Sequence, residues 1–229
     1  MKKKLMILAI AMTATVNASA QIEAESWYVT PKAGVTVADL TGKLFDATKA
    51  EGTYDATLRP LVNFTIGADI MYAFTDNLGL AGGINFSRQG AKTKDDLFKV
   101  SLDYFNIPIT LNYYPIAKAG LALKAGVQVG FATHKRLKMD GVNYNADYDR
   151  VYYVNRYGWI RPGYVESELS RQFNKVDFSI PLAVSYEISG IMLEARYNLG
   201  LTNIMKEDPE NSKNRVWQFT LGYKFDLGD

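Results

Sequence analysis

The chain has 229 residues, with 26 Lys and Arg against 24 Asp and Glu and no cysteine. That length suits one domain with a sizeable core. The missing cysteine excludes disulfides, a lipid-anchored cysteine and thiolate metal sites, and the near-balance of charge excludes the basic field that nucleic-acid binding needs.

The N-terminus reads as an export signal. Lys2, Lys3 and Lys4 precede a short apolar run, Leu5 to Val16, and Ala18-Ser19-Ala20 is a small-residue cleavage site. A signal peptide is therefore expected over 1–20. Its loss would remove three lysines and no acid, turning the net charge of +2 into −1. The run is too short to cross a bilayer as a helix, and no later segment is long and apolar enough to do so.

Beyond it the pattern is alternation. Strand one is expected near Trp27 to Val37, with Ala33 and Val35 against Lys32, Gly34 and Thr36. Strand two, near Leu61 to Phe74, puts Val62, Phe64, Ile66, Ile70 and Tyr72 on one face and Asn63, Thr65, Gly67 and Asp69 on the other. Thr75-Asp76-Asn77 reads as a tight turn into strand three, Leu78 to Ser87. A charged loop, 88–99, leads to strand four, Ser101 to Tyr114, and a short turn follows to strand five, Leu121 to Phe131. The longest connection is expected over about 133–173. Strand six, Val176 to Ile188, turns at Ser189-Gly190 into strand seven, which contains Leu193 to Leu201. Loop 203–214 precedes strand eight, Trp217 to Phe225.

Side chains alternate across a strand, so each segment has one large apolar face and one polar or small face. Nine or so such residues with aromatics near the ends are what a transmembrane strand needs. The strand number is even, and long and short connections alternate. The fold class is therefore all-β, an eight-stranded antiparallel up-and-down transmembrane β-barrel over 21–229, with short turns periplasmic and long loops outside. A soluble barrel of lipocalin type would reverse the faces, with apolar chains inside. Pro108 and Pro181 sit within strands and lack a ladder donor, so a bulge, or water from the lumen, is expected at each.

Four residues are candidates for lumen salt bridges: Glu194, Lys224, Arg196 and Glu187. A hairpin loop centred near Pro209 would set Glu194 opposite Lys224. Lys32, Asp69 and Lys124 are expected elsewhere around the lumen. Eight strands leave an interior that side chains fill, so a polar, salt-bridged core is expected before an ion path. In the longest connection Tyr152, Tyr153, Tyr157 and Trp159, interleaved with arginines, are candidates for interaction, because such residues dominate binding surfaces. The single histidine, His134, has no evident nucleophile or orienting acid, so no catalytic residue is assigned. No metal ligand set and no cofactor are expected; Lys206 to Glu210 lacks a calcium-loop pattern.

The segment Ser101-Leu-Asp-Tyr-Phe-Asn-Ile-Pro-Ile-Thr-Leu-Asn-Tyr-Tyr114 resembles a strand of the PorT-like outer-membrane β-barrel proteins of Bacteroidetes. Lys32-Ala-Gly-Val35, Phe86 to Lys92, Gly126 to Gly130, Val176-Asp-Phe178 and Leu193 to Asn203 are similar to its other patches, in the same order. The resemblance implies an eight-stranded barrel in the cell outer membrane, tolerant of Ile-Pro inside strand four, and it supplies no catalytic residues. Its founding member is associated with a secretion and gliding apparatus. The expected partners are outer-membrane lipid and envelope or secretion proteins, without nucleic acid; no oligomeric state is assigned. A rim-site lipid-modifying enzyme and a narrow pore are the alternatives.

Overall fold

The computed structural model describes residues 22–41, 58–93, 98–116, 119–139, 142–145, 148–154, 160–166, 174–204, 206 and 213–228. The predicted signal segment lies outside them. Among the described residues there are twelve strands: β1 (Trp27–Thr41), β2 (Leu58–Thr75), β3 (Leu78–Thr93), β4 (Phe98–Tyr113), β5 (Leu121–Met139), β6 (Val142–Asn145), β7 (Tyr148–Val154), β8 (Ile160–Glu166), β9 (Val176–Ile188), β10 (Ile191–Asn203), β11 (Lys213–Tyr223) and β12 (Phe225–Gly228). Eight of them form the wall, each antiparallel to its neighbours, in the order β1 to β5 and then β9, β10 and β11. β11 pairs back onto β1, so the sheet closes. β12 continues β11 beyond Lys224 along the same edge of β1. Closure leaves no free edge in the wall, the condition for a sheet to stand in lipid.

The faces are those of a membrane barrel. Along β4, Phe105, Ile107, Ile109, Leu111 and Tyr113 are exposed, while Asn106, Thr110 and Asn112 are buried. The same alternation holds along β2, where Val62, Phe64, Ile66 and Ile70 face out and Thr65 and Asp69 face in. A soluble barrel has the opposite arrangement. Aromatic rings edge the apolar belt. Trp27 and Tyr72 lie 4.9 Å apart at the end carrying the short turns, and Phe64 and Phe86 lie 5.7 Å apart toward the other end. Such girdles mark the two lipid–water boundaries.

The short turn between β9 and β10 has Ser189 at φ 50° and Gly190 at φ 80°. Two successive left-handed residues make a tight hairpin whose twist matches the strands it joins. A Cβ on Gly190 would also lie 2.8 Å from the Tyr223 ring, so a side chain has neither the backbone nor the space.

Two expectations need correction. The segment 88–99 is not a loop throughout, because β3 runs on to Thr93 and β4 begins at Phe98. Likewise β5 continues to Met139, and the long connection holds β6, which pairs with β5, and the separate β7–β8 pair. Strands of 15 to 19 residues in β1 to β5 exceed the span of the bilayer, so the excess stands above the lipid.

The second correction concerns proline. Pro108 pairs normally with Gln128 of β5 and Pro181 with Asn198 of β10, and neither sits at a bulge. On the other side the ladder is interrupted and resumes in the same register. The β3–β4 ladder stops between the Gly82–Ile109 and Asn85–Asn106 pairs, and the β5–β9 ladder between Ala125–Leu182 and Gln128–Ser179. Pro31 does the same between β1 and the β11–β12 edge. A residue in an antiparallel sheet presents its N–H to one neighbour only, so each proline costs one ladder locally and leaves the other whole. Register shifts occur instead toward strand ends, near Trp27, Pro60, Ala73, Asp103 and Leu199.

Candidate functional site

Charged side chains within a membrane span are costly and need partners, so the lumen is the first place to look for function. Five charged residues meet there. Lys32 of β1 is ion-paired with Asp69 of β2. Glu194 of β10 takes Lys124 Nζ of β5 at 2.7 Å on one oxygen. Its other oxygen takes Arg196 Nη2 at 2.9 Å and Lys32 Nζ at 3.4 Å. Arg196 also lies 3.6 Å from Asp69. Three cations thus share two carboxylates, and all five are buried. Room for them comes from glycine: a Cβ on Gly83 would lie 2.1 Å from Asp69 Oδ1.

The expected pair of Glu194 with Lys224 does not form. β10 and β11 register Glu194 against Thr220, and the ladder shifts between Leu199 and Asn203, where β10 carries extra residues. The hairpin is therefore not symmetric about Pro209. Lys224 instead reaches Glu187 of β9 at 2.6 Å, nearer the short-turn end. Lys32, Asp69 and Lys124, expected elsewhere in the lumen, belong with Glu194 and Arg196. Side chains in so narrow a barrel reach across it, which strand-by-strand pairing does not anticipate.

Beyond the charges lies a hydrogen-bonded chain of neutral groups. Gln128 Nε2 donates to Ser179 Oγ at 3.1 Å and to Asn106 Oδ1 at 3.3 Å. Asn106 Nδ2 and Gln89 Nε2 each donate to Ser87 Oγ at 2.9 Å, and Asn214 Nδ2 donates to Gln89 Oε1 at 2.7 Å. This chain links β9, β5, β4, β3 and β11.

Buried apolar clusters lie toward both ends. At the short-turn end Ile22, Tyr28, Met71, Ala73 and Tyr114 pack together, and Ile22 is fully buried. The lead segment is held by Glu25 N–H to Ala73 O at 2.8 Å and Glu23 N–H to Tyr28 Oη at 2.7 Å. The Lys224 ammonium lies 4.8 Å from the Tyr28 ring centre, capping the cluster from within. Toward the far end Leu102, Tyr104 and Ile204 form a second buried cluster.

A further charged group sits on the outside of the wall. Asp103 accepts from Arg88 Nε at 2.6 Å and Nη2 at 3.1 Å, and from Arg136 Nη2 at 2.9 Å. The carboxylate is buried beneath the two guanidiniums. Sequence reading missed this group because it ended strands three and five at Ser87 and Phe131. The readable signal was the outward alternation continuing from Phe86 to Arg88 and from Phe105 to Asp103. Tyr152 and Tyr153 fall on β7, and Tyr157 and Trp159 lie outside the described residues. No cluster suited to a metal ion occurs among the described residues.

Ail, the attachment invasion locus protein of Yersinia pestis, is similar at 11% identity and a TM-score of 0.45, over 89% of this chain and 100% of that one. Neisserial surface protein A is similar at 12% identity and 0.46, over 87% and 97%. The outer membrane protein OprG from Pseudomonas aeruginosa is similar at 14% identity and 0.44, over 89% and 97%. No curated protein matches the chain. The family model for the outer membrane protein beta-barrel domain matches residues 19–206, and the chain belongs to that family as a barrel of the outer membrane.

Proposed function

We propose that the barrel is a non-enzymatic structural and interaction protein, of the PorT-like kind found in Bacteroidetes, serving an envelope or secretion assembly through its extracellular side. The observation that carries this reading is the filled lumen: three cations and two carboxylates are ion-paired at its centre, and buried apolar clusters lie toward both ends. Such an interior braces the wall and offers no path. The surface left to work is the part of β3 to β5 above the lipid, together with β6, β7 and β8, which carry the tyrosine-rich segment. Cross-linking in cells followed by affinity purification tests this. The full chain should recover envelope proteins that a variant lacking 140–168 loses, while both remain heat-modifiable barrels. Identical recoveries would refute the loop's role.

A second reading, a rim-site lipid-modifying enzyme, draws on the register of β4 and β5. His134 pairs directly with Asp103, and Ser101 pairs with the nearby Arg136. Both Asp103 oxygens accept from arginine, which supports the non-enzymatic reading, since that acid is engaged elsewhere than on the imidazole. Loss of acyl release from membrane lipid in His134→Ala would favour the enzyme.

A further inference from the structure

We infer that the outer face of β3, β4 and β5 holds a binding site for the phosphate of an outer-leaflet lipid headgroup, built on Arg88 and Arg136. This goes beyond the interaction role proposed above and is independent of it. The placement carries the inference. Phe86, Phe105 and Phe131 stand side by side in register across the three strands, at the upper edge of the apolar belt. The next outward positions are Arg88 and Asp103, so the charged group begins where the lipid tails end. The Arg88 guanidinium lies 5.4 Å from the centre of the exposed Phe64 ring, so that one side chain touches both the belt and the headgroup level.

The electrostatics fit an anion. Asp103 carries one negative charge against two arginines, leaving the triad net positive. Farther out, register aligns Arg59 with Lys92 and Lys92 with Lys99, so basic residues stand at matched positions on three adjacent strands. Each guanidinium has five N–H donors, and the described bonds to Asp103 engage two from Arg88 and one from Arg136. The Arg136 side chain remains 50% exposed. A buried carboxylate that orients two partly exposed guanidiniums is a preorganised fork for a phosphate, which arginine binds in parallel hydrogen bonds. A phosphate seated there leaves its acyl chains to run down the phenylalanine row.

The test uses the folded full-length barrel in a neutral detergent. It is titrated with phosphatidic acid, with the matching diacylglycerol and with inorganic phosphate, and native mass spectrometry reads the bound species. Phosphatidic acid should saturate one tight site, diacylglycerol should not, and inorganic phosphate should compete only weakly. The Arg88→Gln/Arg136→Gln double variant should lose affinity by about tenfold or more, on the order expected when charge-assisted contacts are removed. Arg136→Gln alone leaves the two Arg88 bonds to Asp103 in place, so its smaller loss is readable even where the double variant folds poorly. Arg215→Gln, an exposed arginine on β11, should bind as the parent does. Undiminished binding in both fork variants, an equal loss in Arg215→Gln, or equal binding of diacylglycerol would overturn the site. Inorganic phosphate binding as tightly as phosphatidic acid would overturn the lipid assignment.

Discussion

Glu194 meets three cations, and its two oxygens do not share them equally. Lys124 holds one oxygen, while Arg196 and Lys32 converge on the other. Removing that carboxylate would leave Lys32, Lys124 and Arg196 facing Asp69 alone. Breaking a buried ion pair costs about 3–5 kcal/mol, so Glu194→Gln should lower the urea midpoint of the refolded barrel by that order of stability. A double-mutant cycle separates this cluster from its neighbour. Glu187→Ala and Lys224→Ala should couple by about 0.5–3 kcal/mol, because the two side chains touch. Glu194→Ala and Lys224→Ala should add to within roughly 0.5 kcal/mol, as independent sites do. Strong coupling in the second cycle and none in the first would restore the symmetric hairpin register and discard the one described.

At the scale of the strand, the wall is a depth gauge. Ile109 sits at the centre of the outward face of β4, with Phe105 and Tyr113 near its two edges. Arginine on the lipid face costs about 2–4 kcal/mol at mid-depth and about 0–1 near the interfaces. Ile109→Arg should therefore destabilise the barrel by that larger amount in refolding titrations, and Leu121→Arg, at the short-turn end of β5, by the smaller. Equal costs would mean that the belt has been misplaced. The strands themselves were largely legible, because a period of two with one greasy face leaves little choice of register within lipid. β9 runs from Val176 to Ile188, the limits its alternation marks. What alternation could not reveal was where strands stop above the membrane. There Arg88, Lys92 and Lys99 remain extended without an apolar face, and charge density in a sequence reads as loop. Nor could it reveal which charges meet, since partners in the lumen come from β1, β2, β5 and β10, related by barrel curvature and not by neighbouring register. Pro108 and Pro181 misled for a simpler reason: in an antiparallel sheet a proline needs only one tolerant neighbour.

The wall is a closed cylinder whose interior, among the described residues, is filled by side chains at mid-depth. Inserted into a planar bilayer it should show no discrete conductance steps, and a mutant lacking a single lumen charge should show none either, because the neutral chain from Ser179 to Asn214 still crosses the interior. Regular single-channel openings from the parent protein would refute the filled lumen. The interior cluster also has a bearing on how the chain folds. Lys32 and Glu194 are separated by 162 positions, and Lys124 and Glu194 by 70. Contacts so distant along the chain form slowly, since a long loop must close before either partner is rewarded. Lys32 and Asp69 can find each other early, yet Lys124 lacks its own partner, Glu194, until β10 arrives. A half-assembled sheet therefore carries an exposed, unbalanced charge on the face that must become the inside. Closing the sheet before β10 is in place would enclose the Lys124 charge in the lumen without its carboxylate, so the ion pairing of the interior is complete only when the last strands join.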